Sequence, residues 1–295
     1  MTAGSPGDGV IRLGRHSYGK SEVRVVKVVR GTDRHTLRDM NVAVALEGDF
    51  AAAYLGDDNT KLPATDSMRN LVYALAHSHP IESIEAFGLA LIEQFLTIPS
   101  VSSARLRLVE YPWERLQLHG EAHPHAFVRG AGERIAVVSG DTSGVLTVAA
   151  GIDNVMVMKT TASGWSDFYR DAYTTLPDAD DRILATVITA HWTYTEQATL
   201  DYEPLWGAVR AQILTSFSDH YSPSVQHTLY RIGHAVLERF PAIERISLSF
   251  PNKHHLLYDL ERFGIENQNE IFHVTSEPYG LIEGTVERRS VTESD

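Results

Sequence analysis

The chain has no cysteine among its 295 residues, which excludes structural disulfides, thiolate nucleophiles, cysteine-ligated zinc and iron–sulfur clusters. It also has no run of about 20 apolar residues that could span a bilayer as a helix. The small, polar opening from Met1 to Gly9 is not a signal peptide, and Glu293-Ser294-Asp295 is not a peroxisomal address of the Ser-Lys-Leu type. A cytoplasmic protein is the expectation. Basic residues are scarce, 26 against 38 acidic ones, for a net charge of -12. Such a chain repels a phosphate backbone or an anionic bilayer, so neither nucleic acid nor membrane is expected as a partner. An anionic small substrate needs a local basic site.

What is present reads as one fold unit carried twice. A length of 295 residues suits two domains with well-formed cores. Val23 to Arg30 and Asn41 to Gly48 alternate with β-branched residues and predict an antiparallel strand pair. Asp66-Ser67 then caps a helix to about His79, and Pro80-Ile81-Glu82 opens a second with Ile84, Phe87, Leu91 and Phe95 at helical spacing. A strand at Ala104–Val109 runs into Glu110-Tyr111-Pro112-Trp113, followed by hairpin-like chain to Ala150. The second half repeats the order. It has strands at Val155–Thr160 and from Ile183 to Leu200, helices at Glu203–Asp219 and Ser224–Phe240, and a strand from Ile243 to Phe250 that ends in Pro251-Asn252-Lys253-His254. Tyr230, Ala235, Val236 and Leu237 are read as the apolar stripe of the last helix. The expected domains are 10–150 and 151–286, with the border near Gly140–Gly151 and the half-sheets joined edge to edge. Residues 1–9 and 287–295 are expected to be disordered tails.

Gly14-Arg15-His16-Ser17-Tyr18-Gly19-Lys20-Ser21 satisfies the phosphate-loop pattern, but its context rejects that reading. A phosphate loop needs its lysine to open a helix whose amides hold the phosphates, and here Lys20 leads into a strand. The pairs His77/His79, His123/His125 and His254/His255 raise the question of a metal. Alternation on a strand puts His123 and His125 on one face, whereas His77 and His79 at a helix end diverge. No metal site is expected.

Tyr18-Gly19-Lys20, Ala64-Thr65-Asp66-Ser67, Arg170-Asp171-Ala172-Tyr173-Thr174-Thr175-Leu176-Pro177 with Asp180 to Thr186, Ser222-Pro223-Ser224-Val225-Gln226 and Pro251-Asn252-Lys253-His254 stand in the order and spacing of urate oxidase. From about Tyr18 to Glu283 the chain resembles that family. The resemblance implies an α+β tunnelling fold (T-fold): tandem ββααββ units whose antiparallel sheets assemble into a β-barrel tunnel, in a homotetramer with active sites at subunit interfaces. It also implies cofactor-independent oxidation of urate by O2 and water to 5-hydroxyisourate and hydrogen peroxide in purine catabolism. An electron-rich purine dianion gives electrons to O2 once a base has removed its second proton, with no flavin or metal required.

By the same resemblance, Lys20 and Thr65 form a proton-handling dyad ordered by His254, and Arg182 with Gln226 clamps the planar anion. Backbone groups at Val225 and Asp66 add hydrogen bonds, Leu176 lines the pocket edge, and Asn252 with Thr65 holds O2 or the attacking water. Trp165 takes the stacking position where the family usually has Phe. Each residue also has a plainer reading. Thr65, Asp66 and Ser224 are helix caps by type, Arg182 an ion-pair partner of Asp180 or Asp181, Gln226 a solvated helix residue, His254 a loop histidine and Trp165 a core residue. Two other functions fit the same fold: a zinc-dependent T-fold enzyme acting on a pterin, and a purine-binding protein without turnover.

Overall fold

The computed structural model describes residues 11–195 and 200–288. The first expected tail, residues 289–295 of the second, and residues 196–199 of the strand expected to reach Leu200 lie outside the described residues. The first alternating run is β1 (Tyr18–Arg30), paired antiparallel with β2 (His35–Gly48). Val23, Val25, Val42 and Val44 turn inward from this pair, as a period of two requires. A short α1 (Ala51–Leu55) precedes α2 (Thr65–Ser78) and α3 (Ile84–Leu96). Then come β3 (Val101–Glu110), an outlying hairpin of β4 (Trp113–Leu118) and β5 (Glu121–Arg129), and β6 (Glu133–Asp141).

The second half follows as β7 (Leu146–Lys159), β8 (Leu184–Tyr194), α4 (Tyr202–Ser218), α5 (Val225–Arg239) and β9 (Ile243–Pro251). A second outlying hairpin, β10 (His254–Leu257) with β11 (Phe272–Thr275), precedes β12 (Leu281–Glu287). Eight strands make one antiparallel sheet in the order β1-β2-β3-β6-β7-β8-β9-β12, with β1 and β12 as its open edges. Each half is therefore ββααββ with a hairpin inserted after its third strand. β7 runs unbroken past residue 150, so one continuous sheet joins the halves. The α+β architecture with antiparallel pairing agrees with the sequence reading. Among the described residues, no helix is long and apolar enough to cross a membrane.

The repeat extends to irregular details. In the β1–β2 pair a bulge lies between Lys20 and Val23, opposite Val44 and Val42. In the β7–β8 pair it lies between Ile152 and Val155, opposite Ala190 and Ile188. The residue in the left-handed region is Glu22 in one bulge, with φ 58°, and Asn154 in the other, with φ 60°. A Cβ on Gly19 would fall 1.8 Å from the Val44 carbonyl oxygen, and one on Gly151 would fall 2.6 Å from that of Ala190. Lys27 on β1 donates to the Ala76 and His79 carbonyls at the end of α2, and Lys159 on β7 donates to the His220 carbonyl at the end of α4. In both halves an ammonium satisfies carbonyls left open at a helix C-terminus.

Three local expectations are corrected. The N-cap of α2 is Ala64, in an extended conformation without a side-chain cap. Thr65 and Asp66 are already helical, and Asp66 sits in the first turn 2.6 Å from Arg69, where a carboxylate suits the helix dipole. Tyr230 is exposed. Val236 and Leu237 are buried as expected, Ala235 is only half-buried, and Val225, Leu229 and Ile232 complete the apolar stripe of α5. Order also reaches beyond the expected start of the second tail, because Glu287 closes β12 and Arg288 donates to the Leu237, Phe240 and Ile243 carbonyls.

Candidate active site

The expected site residues fall into two groups, one in each half. In the first, Lys20 lies in β1 beside the bulge, half-buried and paired in register with Val44. The Tyr18 hydroxyl donates to the Pro63 carbonyl at 2.9 Å, and the Tyr18 ring meets Phe50 edge-on at 4.9 Å. These contacts tie the start of β1, which carries Lys20, to the segment entering α2, whose first helical residue is Thr65. Burial, with a smaller contribution from Tyr54, raises the Tyr18 phenol to about 12, so it stays a neutral donor at physiological pH. The Asp66 carboxylate is exposed, paired with Arg69 and accepting from Asn70 at 3.0 Å.

The second group is knitted together by backbone. Between β7 and β8, Trp165 exchanges backbone hydrogen bonds with Ala179 at 2.7 and 2.9 Å. Arg182 N–H donates to the Ser163 carbonyl at 2.7 Å, and Gly164 N–H donates to the Ser222 carbonyl at 2.9 Å. A Cβ on Gly164 would lie 2.1 Å from the Tyr221 hydroxyl, so the close approach needs glycine. Two residues past Ser222, Ser224 caps α5 by accepting from His227 N–H at 3.1 Å. Val225 and Gln226 therefore open a helix whose first amides are free to meet an anion. On the adjoining strand, Asn252 bridges to Thr186, and its N–H donates to the Gly280 carbonyl at 2.8 Å.

Backbone hydrogen bonds thus tie the Trp165–Arg182 segment to Ser222 and the start of α5 as a ledge, and Asn252 is held separately against Thr186 and Gly280. Arg182 is half-buried, and its Nε donates to the Gly164 carbonyl at 3.2 Å, with no ion pair to Asp180 or Asp181. Burial, partly offset by Tyr221, lowers its pKa from the ordinary guanidinium value. A cation held in place without a carboxylate partner is suited to an incoming anion. The Trp165 ring stacks on Phe168, with centroids 5.5 Å apart and planes 8° apart. Leu176 is exposed on the outward part of the same loop, and His254 opens β10, half-buried. Among the described residues, no hydrogen bond, ion pair or ring contact joins the ledge to Lys20, Thr65 or Asp66.

Sequence reasoning missed the support beneath the ledge. His220 Nε2 lies 3.0 Å from Thr228 Oγ1 and 3.2 Å from Ser222 Oγ, and Thr228 Oγ1 donates to Ser222 Oγ at 2.6 Å. The one sequence signal was a threonine at a stripe position of α5. Burial, then Lys159, and more weakly Arg231 and His227, lower the His220 pKa against the Ser216 backbone carbonyl, which favours the protonated ring. The folded state therefore favours the neutral imidazole. The unfolded chain begins to bind that proton near pH 6.5, so this contribution to stability is present above that pH and is lost as pH falls below it. Melting temperature measured from pH 8 to 5 should show an acid slope that His220→Asn flattens; an unchanged slope would remove His220 from it.

Among the described residues, no three His, Asp or Glu side chains converge as a metal set. His123 and His125 do share a face, with rings 4.6 Å apart.

The model of the Uricase family matches residues 16–138 and 148–283, two segments that part at the β6–β7 turn. A uricase of Arthrobacter globiformis is 40% identical over 277 residues, covering 94% of this chain and 90% of that protein. A uricase of Dictyostelium discoideum is 38% identical over 275 residues, covering 92% and 96%. The crystal structure of the Arthrobacter globiformis uricase superposes with a TM-score of 0.90 at 40% identity, over 97% of this chain and 98% of that one.

Proposed function

From the premise that this chain belongs to the uricase family, we propose that it oxidises urate with O2 and water to 5-hydroxyisourate and hydrogen peroxide, without a cofactor, at sites completed by a second copy of the chain. The observation that carries the two-copy reading is the register of the internal seam. Arg134 on β6 stands opposite Ile152 on β7. In the repeat, β12 takes the place of β6, and β1 that of β7. If the open edge β12 pairs with β1 of a second copy in the same register, Gly280 faces that copy's Lys20. Asn252, already bonded to Gly280, then adjoins the Lys20–Thr65 group. Four such chains closing a β-barrel tunnel in pairs give the homotetramer that the resemblance implies.

Each residue then has a chemical task. Arg182 and the Gln226 amide grip opposite edges of planar urate, assisted by the backbone N–H groups of Val225 and, from the second copy, Asp66. Trp165 stacks on the ring, and Leu176 closes the pocket edge. Lys20, through Thr65, takes the second proton, with His254 ordering the dyad and its water. The dianion passes two electrons to O2, which leaves as hydrogen peroxide. Water held at Asn252 and Thr65 adds to the oxidised ring to give the hydroxylated product.

The direct test follows urate's ultraviolet absorbance and peroxide formation in air, with and without chelator. Chelator-resistant loss of urate with equimolar peroxide supports the proposal. Chelator-sensitive activity, or urate binding without turnover, would replace it with a metal enzyme or a binding protein. Arg182→Ala is expected to raise KM about a hundredfold with a smaller change in kcat, because it removes charge-assisted bonds made to the ground state as well as the transition state. An unchanged KM would sink the clamp assignment.

A further inference from the structure

The internal seam carries the same architecture as the proposed active site. Val44 and Ala190 stand opposite Lys20 and Ile152, and four residues before each are Met40 and Thr186. Glu110 pairs with Met40 and with Arg134 as Asn252 pairs with Thr186 and bonds Gly280. Glu110 is therefore the counterpart of Asn252. On the helices, Ser83 caps α3 as Ser224 caps α5, and the buried positions keep step from there: Phe87 with Thr228, Leu91 with Ile232, Phe95 with Val236. Glu85 is thus the counterpart of Gln226, and Ile152 that of Lys20.

Of these counterparts, Glu110 lines a cavity of about 330 Å³ together with Arg38, Arg134, Glu203 and Trp206, while Glu85 and Ile152 reach it through Arg134, as its ion-pair partner and its strand neighbour. One planar group occupies its inner end. The Arg134 guanidinium, on a side chain only 3% exposed, sets Nη2 2.7 Å and Nε 3.4 Å from the two oxygens of Glu85, which is fully buried. Its Nη1 lies 2.5 Å from Glu203 and 3.7 Å from Glu110, and its Cζ lies 4.7 Å from the centre of the Trp206 ring. An edge held from the second residue of a helix and an aromatic neighbour are also contacts proposed for urate, and Glu110 stands where Asn252 is proposed to hold O2 or water.

We propose that the seam is a second binding site of active-site architecture, occupied by the chain's own Arg134, and that without this side chain it binds a planar guanidinium or amidinium cation. The parallel with urate rests on the clamp proposed above; the site itself rests on the repeat. Carboxylates replace the amides at the two counterpart positions, so the seam selects a cation where the active site selects an anion. The isoleucine in place of Lys20 leaves it without a base, and Glu203 reaches in from the first turn of an α4 that has 17 residues against 14 in α2.

The test is Arg134→Gly, titrated with guanidinium and benzamidinium chloride at millimolar concentration and followed by calorimetry and thermal unfolding. Binding is expected, with a rise in melting temperature of about 3 °C at ten times the dissociation constant. The unaltered chain and Glu85→Gln/Arg134→Gly should show none. No binding, or an equal response to ammonium, would overturn the proposal and leave a structural ion pair only. Should Arg134→Gly not fold unaided, its refolding yield in guanidinium against ammonium is the measurement, and equal yields would overturn the proposal. Neither readout uses urate turnover, so failure here and failure of the oxidase reading remain distinct.

Discussion

Lys20→Met should lower kcat by about two to four orders of magnitude, the usual contribution of a positioned base, while urate still binds and the chains still assemble. Methionine keeps the length and apolar stem of lysine and removes only the ammonium, which meets no partner among the described residues. The backbone there is fixed independently by Gly19 against Val44 and by the bulge, so the substitution should not disturb β1. Urate binding by equilibrium dialysis, paired with single-turnover absorbance, separates the two effects. A variant with kcat within a fewfold of the parent would take Lys20 out of the chemistry.

The second large effect is on stability. Arg134→Met should destabilise the fold by about 3–5 kcal/mol, because it leaves Glu85 buried without its cation. Burial already raises the Glu85 pKa, and Arg134 is the chief opposing influence. The loss should be smaller at acidic pH, where Glu85 can take up a proton in the folded state. Adding Glu85→Gln to Arg134→Met should recover most of the loss, since a buried ion pair is often no more stabilising than a neutral pair of similar volume. Denaturant titrations of the parent, both single variants and the double variant give the coupling directly. Additive losses would show that the two side chains do not act as a unit.

Most of the fold could be read from the chain because it is written in period-two and period-3.6 patterns. Val23–Arg30, the stripe from Ile84 to Phe95 and the strand ending at Pro251 all lie where their alternation put them. Thr65-Asp66 misled because cap chemistry is a property of side chains, whereas the chain turns into the helix at Ala64 on backbone conformation. Trp165, Arg182, Gln226 and Asn252 were named by resemblance, and the bridge Ser163–Ser222, which ties the Trp165–Arg182 segment to the start of α5, is encoded by no local pattern. The seam was the least legible part. Glu85, Glu110, Arg134 and Glu203 are far apart in the chain, and each reads singly as a surface charge. Only the register, which sets Glu110 beside Arg134 under α3 and α4, makes them one cluster, with Glu85, Glu110 and Arg134 buried and Glu203 at its exposed rim.

The paired lysine caps bear on how this protein could be conjugated to polymers or surfaces. The sequence holds only five lysines. Lys27 and Lys159 both have their amines directed at helix-end carbonyls, which makes them poor acylation targets. Besides the α-amino group, an amine-reactive reagent is left with Lys61, which pairs with Asp49 at the surface, Lys253, which lies over the Tyr279 ring, and the proposed catalytic Lys20. Heavy acylation would therefore reach the active site after very few attachments. Carboxylate chemistry, with 38 acidic side chains to draw on, offers handles that leave Lys20 untouched.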